Sequence, residues 1–167
     1  MAHLTRPLDA QELVDLNFAS VIVLIWRYPA FEPYQSWSLI KGWGVARDQQ
    51  WLVRRVTWER AIDYQRAADP LKQAPFMIDP DSAPTIEVLD TRVGAGFAMD
   101  LLGRLGRLTV PSLFASDGIG IDGEVNGIET QHRQVRVEWW CDGPPAWQVL
   151  TEEVERLRLD LDAAVQG

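Results

Sequence analysis

Hydrophobic positions along this chain change period several times, and each change marks an element. Residues 20–28 (SVIVLIWRY) are apolar on both alternating faces and rich in β-branched side chains. That pattern predicts a central strand covered on both sides. After Pro29 and Pro33, residues 36–45 (SWSLIKGWGV) place Trp37, Leu39, Lys41, Trp43 and Val45 on one face and Ser38, Ile40, Gly42 and Gly44 on the other. A turn at 47–49 leads into 51–58 (WLVRRVTW), which alternates again, so the two runs predict a hairpin. Residues 85–93 (TIEVLDTRV) predict a further extended segment.

A helical period appears at 9–17, where Asp9 is placed as an N-cap with Glu12 three residues on. Residues 62–68 predict a short helix ended by Asp69 and Pro70. Residues 94–107 predict another, with Phe97, Leu101, Leu102 and Leu105 along one stripe. The clearest helix opens at Pro144 and Pro145, where a preset φ and a missing N–H are tolerated. Trp147, Leu150, Val154, Leu157 and Leu161 then recur every three or four residues as its core face. Ahead of it, 119–130 and 134–141 predict a hairpin around a polar turn at 131–133. In its second strand Val135, Val137, Trp139 and Cys141 share one face, and Arg136, Glu138 and Trp140 the other.

Residues 70–84 (PLKQAPFMIDPDSAP) hold four of the ten prolines and read as a connection. They are not a domain linker, because the flanking halves are each too small for a core. With 167 residues, 47% of them hydrophobic, the chain is expected to be one domain over 1–167. Its predicted class is α+β: a mixed, mostly antiparallel sheet with helices packed on it, including a C-terminal amphipathic helix.

Charge narrows the partners. There are 16 Lys and Arg against 24 Asp and Glu, a net of −8. Such a field repels phosphate backbones and anionic lipid heads, so neither nucleic acid nor a membrane is an expected partner. A basic protein partner is compatible, and solubility alone also accounts for the acidity. The longest aliphatic run, 21–26, is six residues, and the first residues have no apolar core of signal-peptide length. One cysteine allows no intramolecular disulfide. A cytoplasmic protein is expected.

Catalytic and cofactor motifs do not assemble. His3 and His132 lack metal-ligand spacing. Cys141 and His132 are the only thiol–imidazole combination with the hairpin between them. Their separation along an extended strand, at about 3.3 Å per residue, is roughly 30 Å, too far for a nucleophile and its base. Cys141 is therefore expected as a small buried hydrophobe. Gly94-Ala95-Gly96 follows a predicted strand, but Met99 stands where a dinucleotide fingerprint has its third glycine, leaving a glycine-rich start to a helix. Asp79, Asp81, Asp117, Asp122 and Glu124 lack the spacing of a calcium loop, and the Asp-Gly pairs at 117–118 and 122–123 read as turns. No catalytic residue, metal or cofactor is predicted.

Tryptophan is in surplus, with eight. Core packing absorbs most of these rings, and a contact surface is the other use of such residues. Trp140, flanked by Arg136 and Glu138 and near Asp122 and Glu124, is the predicted partner-binding set. The alternative is a small-molecule or sugar-binding groove, or a modest enzyme, lined by Trp37, Trp43 and Trp58.

The segment 101–161 resembles a pattern in small bacterial α+β proteins. The pattern is a leucine-spaced helix and a proline (LLGRLGRLTVP), an Asp-Gly strand (IDGEVNG), a strand ending in Trp (VRVEWW), and Pro-x-Trp opening a last helix (PPAWQVLTEEVERL). Such proteins are often encoded singly or beside toxin or secretion genes, and some are immunity-like. Here Glu124 to Asn126 stand where the pattern usually has an aromatic. The resemblance implies an accessory or immunity-like role and brings no catalytic residues. The expected function is thus protein binding, immunity-like or accessory, through an acidic and aromatic surface.

Overall fold

The protein is described by a computed structural model, which covers residues 17–44, 46–67, 84–109, 123–130 and 135–167. Strand β1 (Asn17–Pro29) lies inside a six-stranded sheet between β2 (Tyr34–Trp43) and β5 (Glu124–Thr130). Beyond β2 come β3 (Gln49–Trp58) and then the edge strand β4 (Ile86–Val93). Beyond β5, strand β6 (Val135–Trp140) forms the other edge. The strand expected to be central is central, and its Val23, Ile25 and Trp26 are buried on alternating faces.

Every strand pairing among the described residues is antiparallel, where a mixed sheet was expected. Parallel neighbours need a crossover that returns the chain to the same end of the sheet. Here β1, β2 and β3 follow one another through short connections that reverse direction. The connection containing helix α1 (Arg60–Ala67) also delivers β4 antiparallel to β3.

Two helices lie on one face. Ala98 and Leu101 of α2 (Ala95–Leu105) and Leu150, Val154, Leu157 and Leu161 of α3 (Gln148–Gln166) share a core with Ile25, Trp37, Leu39, Val53 and Trp139. All five residues of the predicted stripe, Trp147 included, are buried. A single 3-10 turn, Pro145–Trp147, carries the proline start. Arg104 of α2 clasps α3 through Glu153 at 2.7 Å and Asp160 at 2.5 Å. Trp37 and Arg55 both donate to Asp162, at 2.9 and 3.0 Å, fixing the second half of α3 over β2 and β3.

The opposite face is also buried at Ser36, Ser38, Ile40 and Val56. Arg54 reaches Asp90 there with two bonds, 2.7 and 2.8 Å, tying β3 to β4. At the end of that face Asp63 of α1 accepts from Trp58 Nε1 at 2.6 Å and from the hydroxyl of Thr85 at 2.6 Å. The helix expected over 9–17 lies outside the described residues except for Asn17, which begins β1. The loop acids Asp79, Asp81, Asp117 and Asp122, both histidines and the turn at 131–133 also lie outside them. No helix among the described residues is long and apolar enough to cross a membrane.

Candidate functional site

The helix-covered face is apolar along β1 through Val23 and Ile25, and the next position on that face is Arg27. On β5 the same face runs Ile128, Asn126, Glu124. Register places Arg27 beside Asn126 and Asn126 beside Trp139 of β6, so three strands change character at one end of the sheet. The turn after β6 and the first half of α3 rise beside this polar end without closing over it. Between them is an open groove of about 890 Å³.

Its floor is a hydrogen-bonded set. Arg27 Nε donates to Glu124 Oε2 at 2.6 Å, and Asn126 Nδ2 donates to Glu124 Oε1 at 3.0 Å and to the carbonyl of Cys141 at 3.1 Å. On the α3 wall Arg158 donates twice to Glu155, at 2.7 and 2.6 Å, and its guanidinium lies 4.9 Å from the centre of the Trp37 ring. The Glu155 bond holds the Arg158 guanidinium above its ordinary pKa, against the pull of partial burial. Both arginines of the groove are therefore held by carboxylates. Glu124, Asp142, Glu152 and Glu155 line it against Arg27 and Arg158, leaving two more carboxylates than guanidiniums. Glu152 accepts from Gln148 at 2.8 Å and from Arg156 at 3.4 Å, whereas Asp142 is exposed and pairs with no described residue.

Cys141 is a correction. It is half-buried rather than enclosed and lines the groove, with φ 49°, in the left-handed region that non-glycine residues seldom occupy. The turn requires it: Cys141 N donates to the Glu124 carbonyl at 2.8 Å and Gly143 N to the Trp140 carbonyl at 2.9 Å, so the chain reverses within a few residues of β6. The expected distance from Cys141 to His132 falls on a residue outside the described ones.

The predicted partner-binding set divides. Arg136, Glu138 and Trp140 lie on the face of β6 away from α3, where Arg136 bonds Glu138 at 3.0 Å and stacks over Trp26. Glu124 points the other way, into the groove, because it is one position out of phase with Val125, the register partner of Trp140. Asp122 is not among the described residues.

The alternative groove of Trp37, Trp43 and Trp58 does not exist. Trp37 and Trp58 are each 1% exposed and lie on opposite faces of the sheet, since Trp58 pairs with Tyr34 and Trp37 with Arg55. Trp43 shares the Trp37 face but stands 43% exposed at the far end of the hairpin, beside Gln49. Alternation within each strand is as the sequence predicts, and the phase between strands is set by register.

The glycines at 94 and 96 start α2 from an extended Gly94, and a Cβ at either would meet nothing. No close approach of backbone explains them. Among the described residues no group of three or more His, Cys, Asp or Glu is arranged to hold a metal ion. Arg27, Asn126, Asp142, Glu152, Glu155 and Arg158 escaped the sequence reading. The available signal is Arg27, which follows Val23 and Ile25 on an otherwise aliphatic strand face.

Comparison with protein-family models, with curated proteins and with solved structures finds no match.

Proposed function

We propose that this chain is a non-catalytic binding protein, accessory or immunity-like, which recognises a protein partner in the cytoplasm through the acidic groove and the turn at its end. The observation that carries this reading is an exposed aromatic beside a surplus of carboxylates. The turn between β1 and β2 is fastened to the groove by the Ala30 N to Gly123 carbonyl bond, 2.8 Å, and by Glu32 on Arg27, 3.5 Å. It presents Phe31, 81% exposed. An aromatic anchor next to a polar concavity is the composition of an interface hot spot. Arginines already held by carboxylates keep the groove in one shape before a partner arrives, which lowers the cost of binding. The immunity-like part rests on the resemblance of residues 101–161.

A second reading, a small-molecule site, is favoured by the groove's volume, which falls in the range of about 300–1,000 Å³ usual for ligands, and by Trp139 meeting carboxylates there. The two separate by photo-cross-linking in the native cells, with benzoylphenylalanine at position 31 or 142 and, as control, at exposed Glu87 on the β4 edge. The protein-binding reading expects one discrete protein adduct from 31 and 142 and none from 87. No adduct from either groove position, with a small molecule retained in native mass spectrometry of the purified protein, would replace it with the second reading.

A further inference from the structure

We infer that the outer edge of β6 is a self-association surface, on which a second copy of this chain adds its own β6 antiparallel, joining two sheets across a two-fold axis through Val137. This surface does not rest on the partner reading above. Hydrogen-bond phase decides which backbone groups the edge offers. Cys141 N donates to the Glu124 carbonyl, continuing the register in which Val125 faces Trp140. Antiparallel partners alternate between exchanging both bonds and exchanging none. Val135, Val137 and Trp139 therefore bond inward to β5, and Arg136 and Glu138 turn their N–H and C=O outward. No described strand lies beyond them. A row of unmet backbone groups is a template for another strand, and charges on such an edge restrict what can pair there.

Here the charges admit one register. A two-fold centred on position 136 sets Arg136 against Arg136, and one centred on 138 sets Glu138 against Glu138. Like charges directly opposite are destabilising. Centred on Val137, each Arg136 faces the Glu138 of the other copy, and these residues exchange their outward backbone bonds. Arg136 already bonds Glu138 of its own strand at 3.0 Å, so the charges then alternate around the joint and no existing pair has to break. Both side chains are about half exposed, 46% and 47%, and Arg136 keeps its place over Trp26. On the α3 face the same centre sets Val137 against Val137 and Val135 against Trp139, apolar pairs that suit facing strands. A second copy supplies both charges in the order required because a two-fold contact presents the same patch from each side.

The test is sedimentation velocity of the full chain from roughly 10 µM to 500 µM, the range of a weak, small contact. Expected is a monomer–dimer equilibrium. Arg136→Glu and Glu138→Arg should each weaken it at least about tenfold, since every charged pair across the joint becomes like-charged. Mixing the two variants should restore a dimer with one copy of each, because an all-acidic edge then meets an all-basic one; recovery also shows that both variants are folded. The double exchange Arg136→Glu, Glu138→Arg should dimerise as the parent does. Asp100→Arg, the same charge change as Glu138→Arg at an exposed position on α2, should stay within about twofold of the parent. Register is read by cysteines in a Cys141→Ser background. Val137→Cys should give a disulfide-linked dimer on mild oxidation, since position 137 faces its own copy at a Cα separation of about 4.5 Å, and Val135→Cys should not. A monomer throughout, single variants that dimerise like the parent, a mixture that stays monomeric, or cross-linking at 135 as readily as at 137 would each overturn the inference. None of these outcomes touches the groove, whose own test is the adduct from position 31 or 142.

Discussion

At Gly127 the chain needs a residue without a side chain. Trp26 is its register neighbour on β1, and a Cβ at 127 would collide with the Trp26 ring. The ring lies buried across that gap under the guanidinium of Arg136. Gly127→Ala should therefore cost about 1–3 kcal/mol by overpacking. Urea unfolding followed by tryptophan fluorescence should show a lower midpoint with an unchanged slope. Trp37 is a second such position, since its ring fills the core while its N–H bonds Asp162. Trp37→Phe should keep the fold and lose about 1–2 kcal/mol, because Asp162 keeps Arg55 but loses one donor. Both residues were visible in the sequence as large or small side chains at strand positions. Their partners were not, because contact across strands depends on register rather than on the order of residues.

At the scale of elements, α3 carries most of the information that was legible in advance. Its stripe is buried at every predicted position because spacing of three and four residues fixes which side of a helix is apolar, whatever covers it. Leu157, fully enclosed, should cost about 2–5 kcal/mol on truncation to Ala, read from the same urea midpoints. The clasp between α2 and α3 was not legible, since Arg104 and Glu153 lie 49 residues apart. Burial raises the pKa of Glu153, but bonds from Arg104 and Arg156 outweigh it and hold the carboxyl below its ordinary range. A folded value below the unfolded one makes its contribution present above the ordinary carboxylate range and lost as pH falls through the folded value. Unfolding free energy should thus fall as pH drops below the ordinary glutamate range. Glu153→Gln should be less stable than the parent at pH 7 and should lose less of its stability on acidification, as measured by urea titrations at each pH.

For the whole molecule, charge and shape act together. The surplus of carboxylates belongs to the chain at large, and the groove shares in it, with four carboxylates against two guanidiniums. Under the proposed protein binding, the association rate should fall about tenfold as salt rises from roughly 20 mM to 500 mM, while Phe31→Ala should act mainly on dissociation. Stopped-flow mixing at several ionic strengths separates the two.

Period and composition were enough for the elements: six described strands and three helices fall where apolar alternation or helical spacing placed them, within a few residues at most ends. They were also enough for the α+β class and the acidic field, because each is a property of neighbouring residues or of a sum over all of them. Tertiary structure alone decided that the sheet is antiparallel throughout the described residues, that Trp37 and Trp58 face opposite ways, and that Glu124 leaves Trp140 to join Arg27 and Asn126. Those outcomes depend on which strand pairs with which and in what phase. A shift of one residue sends every side chain to the other face, so a site built across three strands emerges only when all their registers are set.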